Sequence, residues 1–253
     1  MLQGKTVLVT GASKGIGQAI ATEAVRQGAH VIAHYGRDRA GAEAALRDAA
    51  EGRASLVQAD LSDPAEARGL FEKALAIAPR IDGVVNNAAT MIFDGGIDDP
   101  LERWDAVWAQ TFQVNVHAAA EVLRAAIHHF RESGGGAIVG ISSWAAQKGV
   151  TNPRTIAYAA SKAAMKAAYQ TAATAYARDN IQTYIIAPGV VDTQMSRDFA
   201  ETQGGRKVVE DRLAMGEWVP PSDLAALASF CLSGRCRHLS GATLDVNGAS
   251  YVR

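Results

Sequence analysis

Tyr158 and Lys162 stand four residues apart in the stretch YAASK. On a helix that spacing brings both side chains to one face. A free phenol loses its proton near pH 10, about three units too high for easy acid–base work at neutrality. A nearby ammonium favours the phenolate and lowers that value. The pair can therefore serve as a tuned proton donor and acceptor, although Tyr and Lys also meet at this spacing by chance on many helices.

A second constellation suits phosphate. Glycines 11, 15 and 17 fall in TGASKGIG, with Ser13, Lys14 and Ile16 between them. Residues without side chains permit a tight turn and close approach by a pyrophosphate, which a helix N-terminus attracts. About twenty residues further on, a dinucleotide site usually places a carboxylate for the ribose 2′-hydroxyl. Here the stretch is AHYGRD (33–38), and Tyr35, Gly36 and Arg37 occupy the spot.

These groups need a frame, and the sequence supplies one. KTVLVT (5–10), HVIAHY (30–35), ASLVQADL (54–61), IDGVVNNA (81–88), GGGAIVGISS (134–143), IQTYIIAPG (181–189) and TLDVNG (243–248) read as strands. They are continuously apolar, as a sheet buried on both faces requires. Helical stretches alternate with them: 17–28, 40–52, a segment from Asp63-Pro64, a long 100–133 with a break, and 156–179. The alternation predicts an α/β fold: one Rossmann-type, doubly wound parallel sheet of about seven strands with helices on both faces. Residues 1–253 read as a single domain. The polar segment 194–218 breaks the rhythm after a strand end and reads as a substrate lid or as a surface insertion.

Composition narrows the function classes. Lys and Arg total 25 against 26 Asp and Glu, a net charge of −1, and 48% of residues are hydrophobic. Nothing there attracts nucleic acid or an anionic membrane. No apolar run approaches the roughly 20 residues of a membrane span, and the N-terminus lacks a signal-peptide pattern, so a cytoplasmic protein is expected. Cys231, Cys236 and His238 fit no zinc spacing, and no metal is expected. The histidines at 30, 34, 117, 128, 129 and 238 form no ligand set and receive no catalytic role.

Taken together, TGASKGIG, NNAA (86–89), FQVNVHA, GISSW, YAASK and PGVVDT (188–193) resemble, in order and over most of the chain, the short-chain dehydrogenase/reductase family. The resemblance implies a catalytic set of Asn115, Ser143, Tyr158 and Lys162. Tyr158 would exchange a proton with the substrate oxygen. Ser143, a better match than Ser142, would hold that oxygen, and Lys162 would bind the nicotinamide ribose and lower the tyrosine pKa. Asn115 would sit at a helix kink and hold a proton-relaying water. The family pattern further implies cofactor contacts from Asp60 and Leu61, from Asn87, Ala88 and Ala89, and from Pro188, Gly189, Val191 and Thr193. Ala89 replaces the family's usual glycine, Tyr184 its usual asparagine, and the Ser143–Tyr158 stretch is slightly long, TNPRT (151–155) carrying the extra.

Without a carboxylate at Tyr35 or Gly36, nothing repels a 2′-phosphate, and Arg37 offers a planar fork of donors for one. Lys14 adds a second charge. NADP(H) is thus expected over NAD(H), provided Asp38 does not pair with Arg37. The implied activity is hydride transfer between nicotinamide and a carbonyl or secondary alcohol. 3-Oxoacyl thioester reductase-like and sugar or polyol dehydrogenase-like readings both stand; a non-catalytic NADP-binding regulator is the alternative. Arg154, Arg197, Arg206, Lys207 and Arg212 are candidates for a carrier-protein patch. A homo-oligomer, tetramer or dimer, is implied by the family.

Overall fold

The computed structural model describes residues 1–253. In chain order, β1 (Thr6–Val9) leads through the glycine loop into α1 (Gly15–Arg26) and β2 (His30–Tyr35). Then come α2 (Arg39–Ala45), β3 (Ala54–Gln58), α3 (Pro64–Ile77) and β4 (Gly83–Asn86). α4 (Leu101–Phe112) continues through a π-helical stretch, Gln113–Ala118, into α5 (Ala119–Ser133). The remainder is β5 (Gly136–Ile141), α6 (Ala145–Lys148), α7 (Ile156–Ala175), β6 (Ile181–Pro188), α8 (Gln194–Glu201), α9 (Arg206–Glu210), α10 (Pro221–Ser233) and β7 (Thr243–Val246).

All seven strands form one parallel sheet in the order β3-β2-β1-β4-β5-β6-β7. The order reverses between β1 and β4, and ligands of such sheets bind outside the strand ends at that switch point. Each face has its own core. Val7, Val9, Val31 and Ala33 pack with Ile20 and Ala24 of α1 and Leu224 and Ala228 of α10. Leu8, Ile32, Val84 and Ile138 pack on the other face with Leu70 and Phe71 of α3, Val122 and Phe130 of α5, and Met165 and Tyr169 of α7. The expected continuous apolar strands follow from this two-sided burial.

Local sequence explains the boundaries near the site. The Asp63 carboxylate accepts from the N–H groups of Ala65 (2.7 Å) and Glu66 (3.0 Å), and Pro64 takes the first helical position, where it has no N–H to lose. The break expected within 100–133 is the π-helical stretch, centred on Asn115. Gly134 ends α5 in the left-handed region, φ +87°. TNPRT forms a 3₁₀ turn, Pro153–Thr155, capped by Asn152. From it Arg154 reaches Asp99 (3.2 Å), and Asn152 reaches Thr202 (3.4 Å) just beyond α8, so the extra length ties together two loops beside the cleft. Tyr184 is buried in the β6 core, and its hydroxyl donates to the Cys236 carbonyl (3.3 Å).

Candidate active site

A cleft of about 530 Å³ opens at the carboxyl ends of β1 and β4. One end is built by the glycine loop. Gly11 and Gly15 take φ +66° and +57°, the region where a side chain strains the backbone. Gly17 is buried: a Cβ there would collide with the Gly11 carbonyl and the Asn87 amide, so α1 closes on the loop only because the residue is glycine. No side chain caps the first turn of α1. Its N–H groups and dipole are free for an anion, and the cleft fits a dinucleotide pyrophosphate there.

Thr10 braces this end. Its buried hydroxyl accepts from the N–H groups of Asn87 (2.9 Å) and Ala88 (3.0 Å). In return, the Asn87 side chain donates to the carbonyls of Thr10 (2.9 Å) and Gly11 (3.2 Å). The motifs TGASKGIG and NNAA thus form one hydrogen-bonded unit.

Ser143, at the end of β5, and Tyr158 and Lys162, on α7, line the other end. The Ser143 hydroxyl accepts from the Ala145 N–H (3.1 Å), which leaves its own proton to give. The Lys162 ammonium is buried, donates to the Ile141 carbonyl (2.9 Å), and lies 5.8 Å from the Tyr158 ring centre. Burial lowers the Lys162 pKa to about 8. Burial pushes the Tyr158 phenol above its ordinary value, and hydrogen bonding to Ser143 pulls it partly back. Burial outweighs that bond, so the net shift of the phenol is upward, while the Lys162 ammonium is engaged by the Ile141 carbonyl.

The nucleoside rim is set by AHYGRD. Arg37 is 87% exposed and pairs with Asp60 at 3.3 Å. Asp38, the acid expected to compete for it, instead caps α2, accepting from the Gly41 N–H (2.9 Å). The Ser13 hydroxyl donates to the Asp38 carbonyl (2.7 Å). Asp60 also accepts from the N–H and hydroxyl of Ser62, and these bonds, with Arg37, hold its carboxyl below the usual range.

Of the residues expected around a dinucleotide, all but Gly17 and Tyr35 line the cleft. Gly17 serves packing. Tyr35 faces away, its phenol beside Arg39, because strand alternation places it with Val31 and Ala33 on the opposite face. Asn115 is also behind the cleft wall. Its amide bonds the Thr90 N–H (2.7 Å), the Thr90 carbonyl (2.8 Å) and the Ser161 hydroxyl (3.0 Å), and Ser161 donates to the Tyr158 carbonyl (2.7 Å). Residues not expected from sequence include Thr10, Ser161, Ser62 and His34. The last takes the place on the cleft side that Tyr35 does not.

A family model described as enoyl-(acyl carrier protein) reductase matches residues 11–249. An L-rhamnose 1-dehydrogenase (NAD(P)(+)) from Sphingomonas sp. is 34% identical over 255 residues, covering 100% of this chain and 98% of that protein. A 3-ketoacyl-(acyl-carrier-protein) reductase from Brucella melitensis, solved with NADH, superposes with a TM-score of 0.87 at 29% identity over 100% of both chains. A 3-oxoacyl (acyl-carrier-protein) reductase from Agrobacterium tumefaciens, with NADP bound, gives 0.87 at 32% identity, covering 98% of this chain and 94% of that one. A full-length family match, relatives above 30% identity and the assembled Ser143–Tyr158–Lys162 cleft agree: the chain belongs to the short-chain dehydrogenase/reductase family of NAD(P)-dependent oxidoreductases.

Proposed function

We propose that this oxidoreductase interconverts a carbonyl and a secondary alcohol on a small sugar or polyol, with NADP(H) preferred to NAD(H). The carrying observation is that Ser143, Tyr158 and Lys162 meet in one cleft with the uncapped N-terminus of α1. Bound nicotinamide supplies or accepts the hydride. Ser143 and Tyr158 donate hydrogen bonds where negative charge develops on the substrate oxygen, and Tyr158 passes the proton. Lys162, buried beside the phenol, would hold the ribose of a bound cofactor, and its positive charge would favour the phenolate. Asn115 is a positioning residue, tying the loop after β4 to α7 through Thr90 and Ser161.

NADP(H) is supported by the charge at the rim. Arg37 and the exposed Lys14 line the cleft, no carboxylate stands at Tyr35 or Gly36, and Asp38 is occupied as a helix cap. The sugar or polyol reading is supported over a carrier-bound thioester by ion pairing. Arg154 pairs with Asp99, Arg197 with Asp192, Arg206 with Asp192 and Glu210, and Lys207 with Asp211. Four of the five cations that could receive an acidic carrier protein are thus neutralised by neighbours. A panel of aldoses, polyols and acetoacetyl thioesters, read by nicotinamide absorbance with both cofactors, tests this. Higher kcat/KM on acetoacetyl thioesters than on every sugar and polyol overturns it.

The segment 194–218 acts as the substrate lid. Thr193 caps α8, Gln194, Met195 and Ser196 line the cleft, and Phe199 of the same helix stacks on Phe93 of the loop after β4 with ring centres 6.4 Å apart. Val190, Ala200, Val209 and Trp218 give the segment a small core of its own. The enzyme works as a homo-oligomer. Trp104, Trp108 and Phe112 follow one another along α4, half-exposed, with ring centres 5.0 and 5.3 Å apart, and a second copy covers that face. The buried alanines 159, 172 and 173 of α7 pack within the chain instead. Light scattering on the eluted protein checks the assembly; a monomer mass refutes it.

A further inference from the structure

His34 is 2% exposed at the end of β2, and it lines the cofactor cleft. Both ring nitrogens are engaged. The Gly11 N–H lies 3.0 Å from Nδ1, and the Ala59 carbonyl lies 3.0 Å from Nε2. A backbone N–H only donates and a carbonyl only accepts, so these partners assign a neutral ring with its single proton on Nε2. The His34 carbonyl meanwhile accepts from the Ala12 N–H (2.8 Å). One residue thus ties together the first glycine of the phosphate loop and the end of β3, which carries Asp60.

We propose that His34 is a positioning residue for the dinucleotide. Its neutral imidazole holds the glycine loop against the end of β3 at the spacing a bound cofactor spans, and protonation releases the loop. This rests on reading the cleft as a dinucleotide site. An imidazolium would aim a second N–H at the Gly11 N–H, break that bond and leave two donors facing each other. The charged groups around it do not compensate. Lys73 of α3 donates to the Gln58 carbonyl (3.2 Å) and is itself cationic, as are Lys14 of the loop and Arg37 after β2. Asp60 is committed to Ser62 and Arg37, and Glu66 of α3 to the Asp60 N–H (2.7 Å). Burial holds the imidazole below its ordinary pKa; the bond to the Ala59 carbonyl opposes this, and Lys73 adds to it.

The test is NADPH affinity by titration calorimetry on wild type, His34→Asn and His34→Ala, from about pH 8 down to the lowest pH at which the fold persists, because burial delays the charged ring to pH below the ordinary imidazole range. Asparagine can offer Oδ1 to the Gly11 N–H and cannot protonate. His34→Asn should bind within about threefold of wild type at the alkaline end, where a hydrogen bond to Gly11 survives. It should lack the wild type's extra loss on acidification. His34→Ala should bind about tenfold more weakly at the alkaline end, the cost of leaving the part-buried Gly11 N–H unpaired and the loop untethered, and its cofactor KM should move more than its kcat. Titration of the ligand's own phosphate is common to all three proteins, so the difference between them belongs to His34. An acid limb in His34→Asn equal to that of wild type overturns the proposal, as does wild-type affinity in His34→Ala. If His34→Ala does not fold, the His34→Asn pH curve decides alone. A wild type that binds neither NADPH nor NADH removes the reading of the cleft itself, whereas wild-type binding with indifferent variants removes only the role of His34.

Discussion

Replacing Arg37 with alanine should separate the two cofactors. The side chain is 87% exposed and already pairs with Asp60 at 3.3 Å, so binding a 2′-phosphate exchanges one partner for another. An exposed ion pair is worth about 0–1 kcal/mol. Charge-assisted hydrogen bonds to a phosphate run to about 1.5–3 kcal/mol, and solvent at so open a site keeps the value near the lower end. The net gain is about 0.5–1.5 kcal/mol, or roughly two- to tenfold in affinity. Arg37→Ala should therefore lower kcat/KM for NADPH about threefold to tenfold and leave NADH within about twofold. Asp60→Asn should raise the NADPH/NADH ratio, because it frees Arg37 while any change at the adenine touches both cofactors alike. Initial rates against each cofactor, at low and at raised salt, measure this, and the Arg37 effect should shrink with screening. An equal fall with NADPH and NADH, or a ratio unmoved by Arg37→Ala, would refute the assignment of the phosphate site.

Two further outcomes follow from the same geometry. Lys162 has a folded-state pKa of about 8, below the 10.5 of a free lysine. Over that interval the unfolded chain binds more protons, so stability rises with pH above about 8, before the buried tyrosines reverse the trend. Lys162→Met should flatten urea-unfolding free energy between about pH 8 and 9.5, and gain about 1–2 kcal/mol at neutrality while abolishing activity; an unchanged slope contradicts it. Phe199→Ala removes the Phe93 stack, worth about 0.5–1.5 kcal/mol, and should raise the substrate KM about threefold to tenfold with the cofactor KM unchanged. Equal shifts in both would count against a substrate lid.

Much of this site was legible because its residues sit where local rules are strong. Asp63-Pro64 marks a helix start by chemistry alone, and a glycine loop between a strand and an amphipathic helix has few other uses. Asn115 within a helical stretch marked the break that proved to be the π-helical stretch. What escaped was direction and long-range partnership. Strand alternation puts His34 with Ile32 and Tyr35 with Ala33, so the cleft-facing residue could have been read from the position of the strand end. The Thr10 bonds to Asn87 and Ala88, and the Ser161 bridge between Asn115 and Tyr158, join residues far apart in sequence. No local pattern encodes them. The TNPRT insertion was visible as extra length, but its use became clear only when Arg154 met Asp99.

The central claim is that Tyr158 passes the proton during hydride transfer in a cleft that binds the cofactor independently of it. Rates of nicotinamide turnover at saturating cofactor, measured as reduction for an alcohol and as oxidation for a carbonyl, on the best substrate of the panel, should fall about 10²–10⁴-fold in Tyr158→Phe, the span of general acid–base catalysis. NADPH affinity should stay within about twofold, since the ring is kept and only the hydroxyl is lost. A Tyr158→Phe enzyme retaining more than about a tenth of wild-type turnover would contradict the account, because no proton donor of that weight would then reside at Tyr158.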